Sequence, residues 1–191
     1  MKRVFIVHGW DGSPVTGWFP WLKSELEARG FLVHVPQLPD TECPRIEKWV
    51  PALAGAVGAP DEDTYFVGHS MGCQTIARYL ETLPDDRKVG GVVFVAGFFR
   101  RLTGLDTEEE RELDREWAEA PLNFEKVRLH MKRSVALFSD DDPCVPVTNA
   151  QDFDERLGAD VIIQSKQSHF NEGAGFKELP IVLEKVLELA A

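Results

Sequence analysis

Three places along the chain carry side chains that could do chemistry together. Gly68-His69-Ser70-Met71-Gly72 sets a serine between two glycines, Asp140-Asp141-Asp142-Pro143 offers three consecutive carboxylates, and Ser168-His169-Phe170 offers an imidazole. A serine hydroxyl is a weak nucleophile until a base takes its proton, and the base needs a carboxylate that holds its tautomer and stabilises its cation. Serine, acid and histidine together are equipment for acyl transfer. Where the serine stands on a sharp strand-to-helix turn, the acid and then the histidine follow it in the chain, and this sequence keeps that order.

Five histidines compete for the role of base. His169 alone follows both the serine and the acids. His8 closes an apolar run and braces its turn, His34 sits within a strand, His69 packs beside the turn, and His130 ends a helix. Among the acids Asp142 is favoured, because Pro143 and Pro146 fix the turn that would direct it towards His169; Asp140 and Asp141 cap the loop or face water. Catalysis also needs donors for the oxyanion. The N–H of the residue after the nucleophile, Met71, is one, and the N–H of Trp10 in His8-Gly9-Trp10-Asp11-Gly12 is the second, with the Trp10 ring in the pocket wall. Cys73 and Cys144 read as small buried residues, and no cluster has the spacing of metal ligands. No cofactor is implied.

These groups need a scaffold. Thr64 to Val67 is a short β-branched and aromatic run leading into the turn, and Ile76, Tyr79, Leu80 and Leu83 give the following helix an apolar face that Pro84 stops. Val4 to Val7 reads as a first strand buried on both faces, Phe31 to Val35 as the second, Gly91 to Ala96 as the fourth, Ser134 to Phe138 as the fifth and Asp160 to Ile163 as the sixth. Helices fall at Trp18 to Gly30, at Pro44 to Val57 with a kink or late start at Pro51, around Phe153 and Leu157, and at Phe176 to Leu189. Strands alternating with helices imply an α/β fold: one domain over residues 1–191, a parallel sheet of about six strands with helices on both faces. Ligands in such sheets sit beyond the carboxyl ends of the strands, where Ser70, the Trp10 turn, the aspartates and His169 all fall.

The interval Gly97 to Lys132 is longer than a crossover helix requires. Two readings compete for residues 97–132: a solvated surface helix with a narrow stripe of Leu113 and Trp117, or a small cap insertion in which Phe98, Phe99 and Leu102 line the acyl pocket and Trp117 holds the cap down. The formal charge of -11 argues against nucleic acid and anionic membrane as partners. Three cysteines without a paired framework suit a reducing compartment, and the apolar run at the start is too short for a signal peptide, so a cytoplasmic location is expected.

In these clusters, together with Trp18-Phe-Pro-Trp-Leu-Lys23, Gly91 to Gly97, Gly175-Phe176 and Leu179-Pro-Ile-Val182, the chain resembles the small YdeN-like or retinoblastoma-binding-protein-9-like serine hydrolases over nearly its whole length. The resemblance implies a three-layer reduced α/β-hydrolase fold lacking the usual first two strands, with a triad matching Ser70, Asp142 and His169. The family's animal branch is associated with small aminoacyl esters and with an L-x-C-x-E motif. No cysteine here has that context, so retinoblastoma binding is not carried over. The expected activity is hydrolysis of a small carboxylic ester or related acyl compound through an acyl-enzyme; the alternatives are acyl transfer by the same triad and a catalytically weak interaction protein.

Overall fold

Val4 to Val7 are four consecutive apolar residues, a pattern satisfied when both faces of a strand are covered. In the computed structural model, which describes residues 1–191, they form β1 (Arg3–Val7) inside a six-stranded sheet whose strands are all parallel. Its order is β2 (Leu32–His34), β1, β3 (Thr64–His69), β4 (Gly91–Val95), β5 (Ser134–Ser139) and β6 (Asp160–Gln164). The period of two divides the core. Val4 and Ile6 pack with α1 (Phe19–Glu27) and α7 (Pro180–Leu189), whereas Phe5 and Val7 face α2 (Ile46–Val57), α3 (Met71–Glu81) and α6 (Ala150–Glu155). The second face holds the larger side chains, among them Trp49, Leu53, Ile76, Leu80 and Phe153. Each such side chain taken fully out of water stabilises the fold by about 1.5–3 kcal/mol.

From β1 the chain steps outwards to β2 and then returns past β1 to β3. A reversal of this kind opens a crevice beyond the carboxyl ends of β1 and β3, and Ser70 stands at its floor. No helix is long and apolar enough to cross a membrane.

Two helix starts differ from expectation in an instructive way. The last helix starts at Pro180 rather than Phe176, because a proline costs nothing at the first helical position while the preceding residues form a short 3-10 turn (Glu172–Ala174) closed by Gly175 at φ 88°. The second begins at Ile46 and keeps Pro51 inside it, so Pro51 falls in the second turn and costs one early hydrogen bond.

The long interval after β4 contains two helices, α4 (Glu108–Glu119) and α5 (Phe124–Leu129). Thr107 and Glu110 start α4 with a reciprocal capping box. Its inward stripe is narrow, as the acidic sequence requires: Leu113, Asp114 and Trp117 are buried and the rest is half-buried or exposed. Trp117 stands edge-on to Trp49 at 5.8 Å and donates from Nε1 to the Pro44 carbonyl at 3.1 Å. Glu116 accepts from Arg45 Nη1 at 2.5 Å and from the Ile46 N–H at 3.2 Å, so α4 supplies the acid at the amino end of α2. Buried Arg78 of α3 closes the other end, donating from Nη2 to the Trp117 and Ala120 carbonyls (2.8 and 3.1 Å) and from Nη1 to the Pro121 carbonyl (3.1 Å). A cation there meets the negative end of the α4 dipole.

Replacing Arg78 with Met preserves the aliphatic stem but strands three carbonyls. Urea unfolding should show a loss of about 2–4 kcal/mol, with the far-ultraviolet dichroism of the folded state unchanged.

Candidate active site

β3 ends at His69 and α3 begins at Met71, so Ser70 makes the whole turn alone. It does so at φ 53° and ψ −121°, a left-handed conformation costing about 1–3 kcal/mol for a side chain other than glycine. The surroundings hold it there. Its N–H donates to the Val95 carbonyl at 2.9 Å, and its carbonyl accepts from the Cys73 N–H at 2.9 Å. Glycine is required beside it: a Cβ on Gly72 would lie 2.2 Å from the Val7 oxygen, and one on Gly68 would lie 2.9 Å from the Cys73 nitrogen. Ser70 is buried and borders a cavity of about 330 Å³.

His169 and Asp142 meet beside the same cavity. Imidazole Nδ1 lies 2.7 Å from Asp142 Oδ2, while Asp142 Oδ1 accepts from the N–H groups of Cys144 (2.8 Å) and Val145 (2.9 Å). Both carboxylate oxygens are therefore occupied, and the turn through Pro143 brings those two amides round to fix the acid. With Oδ2 accepting, Nδ1 carries the proton and Nε2 is left as the acceptor. His169 and Ser70 line one wall, with no direct hydrogen bond from hydroxyl to imidazole in this structure; such contacts commonly tighten only when substrate is bound. Asp142, Cys144 and His169 bring O, S and N donors within 4.8 Å of one another, Asp142 accepting three hydrogen bonds there.

The neighbouring aspartates are not idle. Asp141 Oδ1 accepts from Ser139 Oγ and from the Ser168 N–H, both at 2.7 Å, and the Ser139 hydroxyl foremost among these bonds holds its carboxyl below the usual range. Asp140 Oδ1 accepts from the Lys166 N–H at 2.8 Å. His69, expected only to pack beside the turn, donates from Nε2 to the carbonyl of His169 at 2.8 Å, the ring centroids 4.8 Å apart. Burial, and secondarily the nearby His169, push His69 down to about 3, so this ring is neutral. The sequence signal for Asp140 and Asp141 was the run of three acids itself; His69 had none.

His8 braces its loop as expected. Nε2 accepts from the Leu38 N–H at 3.1 Å and Nδ1 donates to the Gly9 carbonyl at 2.9 Å, the ring kept neutral by burial. Gly12 closes the Gly9–Gly12 turn on that same carbonyl at 3.0 Å, and the Trp10 N–H takes no backbone partner. Met71 is the first residue of α3, so its N–H has no carbonyl one turn earlier to meet.

Trp10, Trp18, Phe19, Leu102, Leu105 and Phe170 supply the apolar wall of the cavity. Phe98 and Phe99 do not, which corrects the expectation that they line an acyl pocket. Ala96 leaves β4 at φ 48°, and Asn149 Oδ1 takes the N–H groups of Phe99 (2.9 Å) and Arg100 (3.0 Å). The pair is thereby turned into the core, where the Phe99 ring packs at a tilt against Phe153, centroids 4.6 Å apart. Of residues 97–132 it is Leu102 and Leu105 that reach the cavity, and no residue of α4 does. Cys73 is fully buried, its thiol pushed well above the ordinary range by desolvation, and burial with the Asp142 charge raises that of Cys144 too; neither is poised as a thiolate nucleophile.

Residues 4–188 match the model of a family described as serine hydrolase. Among curated proteins, the hydrolase YdeN of Bacillus subtilis is 33% identical over 183 residues, covering 96% of this chain and 93% of its own length. The serine hydrolase RBBP9 of Rattus norvegicus is 28% identical over 188 residues, covering 97% and 95%. The crystal structure of the Bacillus subtilis ydeN gene product superposes with a TM-score of 0.91 at 32% identity, over 99% of this chain and 98% of that one.

A histidine kept neutral in the fold makes the folded state bind fewer protons than the unfolded state wherever the unfolded side chain titrates. Stability is then full above pH 6.5 and declines as pH falls from there towards 3. Thermal melts at pH 7 and pH 5 should show a larger drop for the wild type than for His69→Phe, with His8 leaving some of the slope in the variant.

Proposed function

The chain belongs to the serine hydrolase family, and from that premise we propose that it hydrolyses small carboxylic esters through an acyl-enzyme on Ser70. The observation that supports this most is the Asp142 carboxylate, locked by two amides and 2.7 Å from Nδ1 of a histidine that shares its cavity with an elbow serine. In the proposed cycle His169 Nε2 takes the Ser70 proton as Oγ attacks the ester carbonyl. Asp142 keeps the proton on Nδ1 and stabilises the imidazolium that forms. The Trp10 and Met71 N–H groups, with the amino end of α3 behind the second, receive the negative oxygen. The imidazolium then protonates the departing alkoxide, and a water molecule repeats the sequence to release the acid.

The cavity bounds the substrate. At about 30 Å³ for each water-sized group, 330 Å³ holds roughly ten non-hydrogen atoms. Its wall is mainly apolar, and no lysine or arginine lines it, so nothing compensates a carboxylate or phosphate on the acyl chain. Short acyl groups without a negative charge fit best.

With p-nitrophenyl esters, acetate and butyrate should be turned over at least about tenfold faster than decanoate, since each methylene without a pocket forfeits its burial. Ser70→Ala should be silent, and a fluorophosphonate probe should label the wild type alone. Asp142→Asn should lower kcat about a thousandfold or more. Labelling of Ser70→Ala, or a preference for decanoate, would refute the assignment.

A further inference from the structure

The segment that carries His169 is strained along its length. Lys166, Ser168 and Phe170 hold φ values of 58°, 51° and 50°, a left-handed region that side chains other than glycine rarely adopt. Left alone such a loop would relax. Side chains from elsewhere grip it at every step: Asp140 takes the Lys166 N–H, Ser139 Oγ the Gln167 N–H at 2.9 Å, Asp141 the Ser168 N–H, His69 the His169 carbonyl, and Trp18 Nε1 the Phe170 carbonyl at 2.8 Å.

Two of these grips stand apart by where they originate. His69 immediately precedes Ser70, and Asp141 immediately precedes Asp142. The residue before the serine and the residue before the acid thus both hold the backbone that presents the imidazole, one through the carbonyl of His169 and the other through the amide of Ser168. A shift of either neighbour would be passed to the loop across a single peptide bond. We propose that His69 and Asp141 are positioning residues that clamp the backbone on both sides of His169 and so set the reach of its imidazole to Ser70. The inference rests on the reading of Ser70, His169 and Asp142 given above. Neither residue gives a hydrogen bond to the reacting atoms; Asp141 acts through the loop, and His69 acts through the loop carbonyl with its ring packed beside that of His169. A misplacement of about 1 Å in a catalytic group costs up to about a hundredfold in rate, which is the scale of effect a slackened clamp produces.

Paired variants assayed with p-nitrophenyl butyrate test this. His69→Phe keeps a ring against Trp18 and Phe19 but loses the donor, whereas His69→Gln restores an N–H near the same place. Asp141→Ala loses the acceptor, whereas Asp141→Asn keeps an oxygen for Ser139 and Ser168. In His69→Phe and Asp141→Ala kcat should fall about 10- to 100-fold with KM within about twofold, and each conservative partner should recover most of the loss. Thermal melts establish that each variant is folded, and Asp141, on a surface loop, keeps the test open should His69→Phe fail to fold. Undiminished kcat in Asp141→Ala, a rise confined to KM, or Gln and Asn variants as slow as Phe and Ala would overturn the clamp while Ser70→Ala stays silent. Turnover retained by Ser70→Ala would instead remove the reading of the site, and the clamp with it.

Discussion

The fit of the first turn of α3 against the end of β1 is the constraint on which the site depends. Gly72 lies so close to the Val7 carbonyl that any Cβ would overlap it. This is a contact of backbone with backbone, and it leaves the residue two positions earlier nowhere to go except up and out of the sheet. Gly68, against Cys73 and Ile76, sets the same limit from the strand side. The strained dihedrals of Ser70 follow from this packing, so the elbow is held by the general cohesion of the core and not by any bond to the serine side chain.

Strain is distributed on one side of the molecule. Seven residues other than glycine have positive φ: Asp11, Asp40, Ser70, Ala96, Lys166, Ser168 and Phe170. Every one of them lies in a segment leaving the carboxyl end of a strand. At the opposite rim the left-handed positions Gly30, Gly58 and Gly158 are all glycines, the first two with open space where a Cβ would stand and the third with the Arg128 guanidinium beside it. One rim is thus built for cheap turns, and the other carries conformations that persist only because packed neighbours and side-chain hydrogen bonds over-determine them. The second is the rim that holds the cavity. The same division appears in the insert, where α4 is anchored away from the cavity by Trp117, Arg78 and Glu116, and only the turn around Leu102 and Leu105 approaches it.

Much of the architecture was legible in the sequence because it follows from local rules. Apolar runs marked the strands, covered on both faces in β1, β3, β4 and β5 and partly exposed in the edge strands β2 and β6, and the two glycines flanking Ser70 announced a crossing too tight for side chains. Chain order was the ground for expecting His169 with Asp142 and Ser70; in the structure His169 borders the same cavity as Ser70 and lies 2.7 Å from Asp142. The direction of Phe98 and Phe99 could not be anticipated: it turns on the left-handed bend at Ala96 and on one amide side chain, Asn149, fifty residues away. The bond from His69 to the His169 carbonyl was hidden for the same reason, since it joins elements 100 positions apart and no periodicity records which way a ring faces.

The three consecutive aspartates point to Lys166, to Ser168 and to His169 in turn. Neighbours in one loop address successive stations of another, like the teeth of a key. A point change disturbs one tooth, but a single residue inserted or lost between Ser139 and Pro143 would slide the whole set and offer the imidazole the wrong acid. In descendants of this chain, that short stretch would drift in composition long before it could change in length.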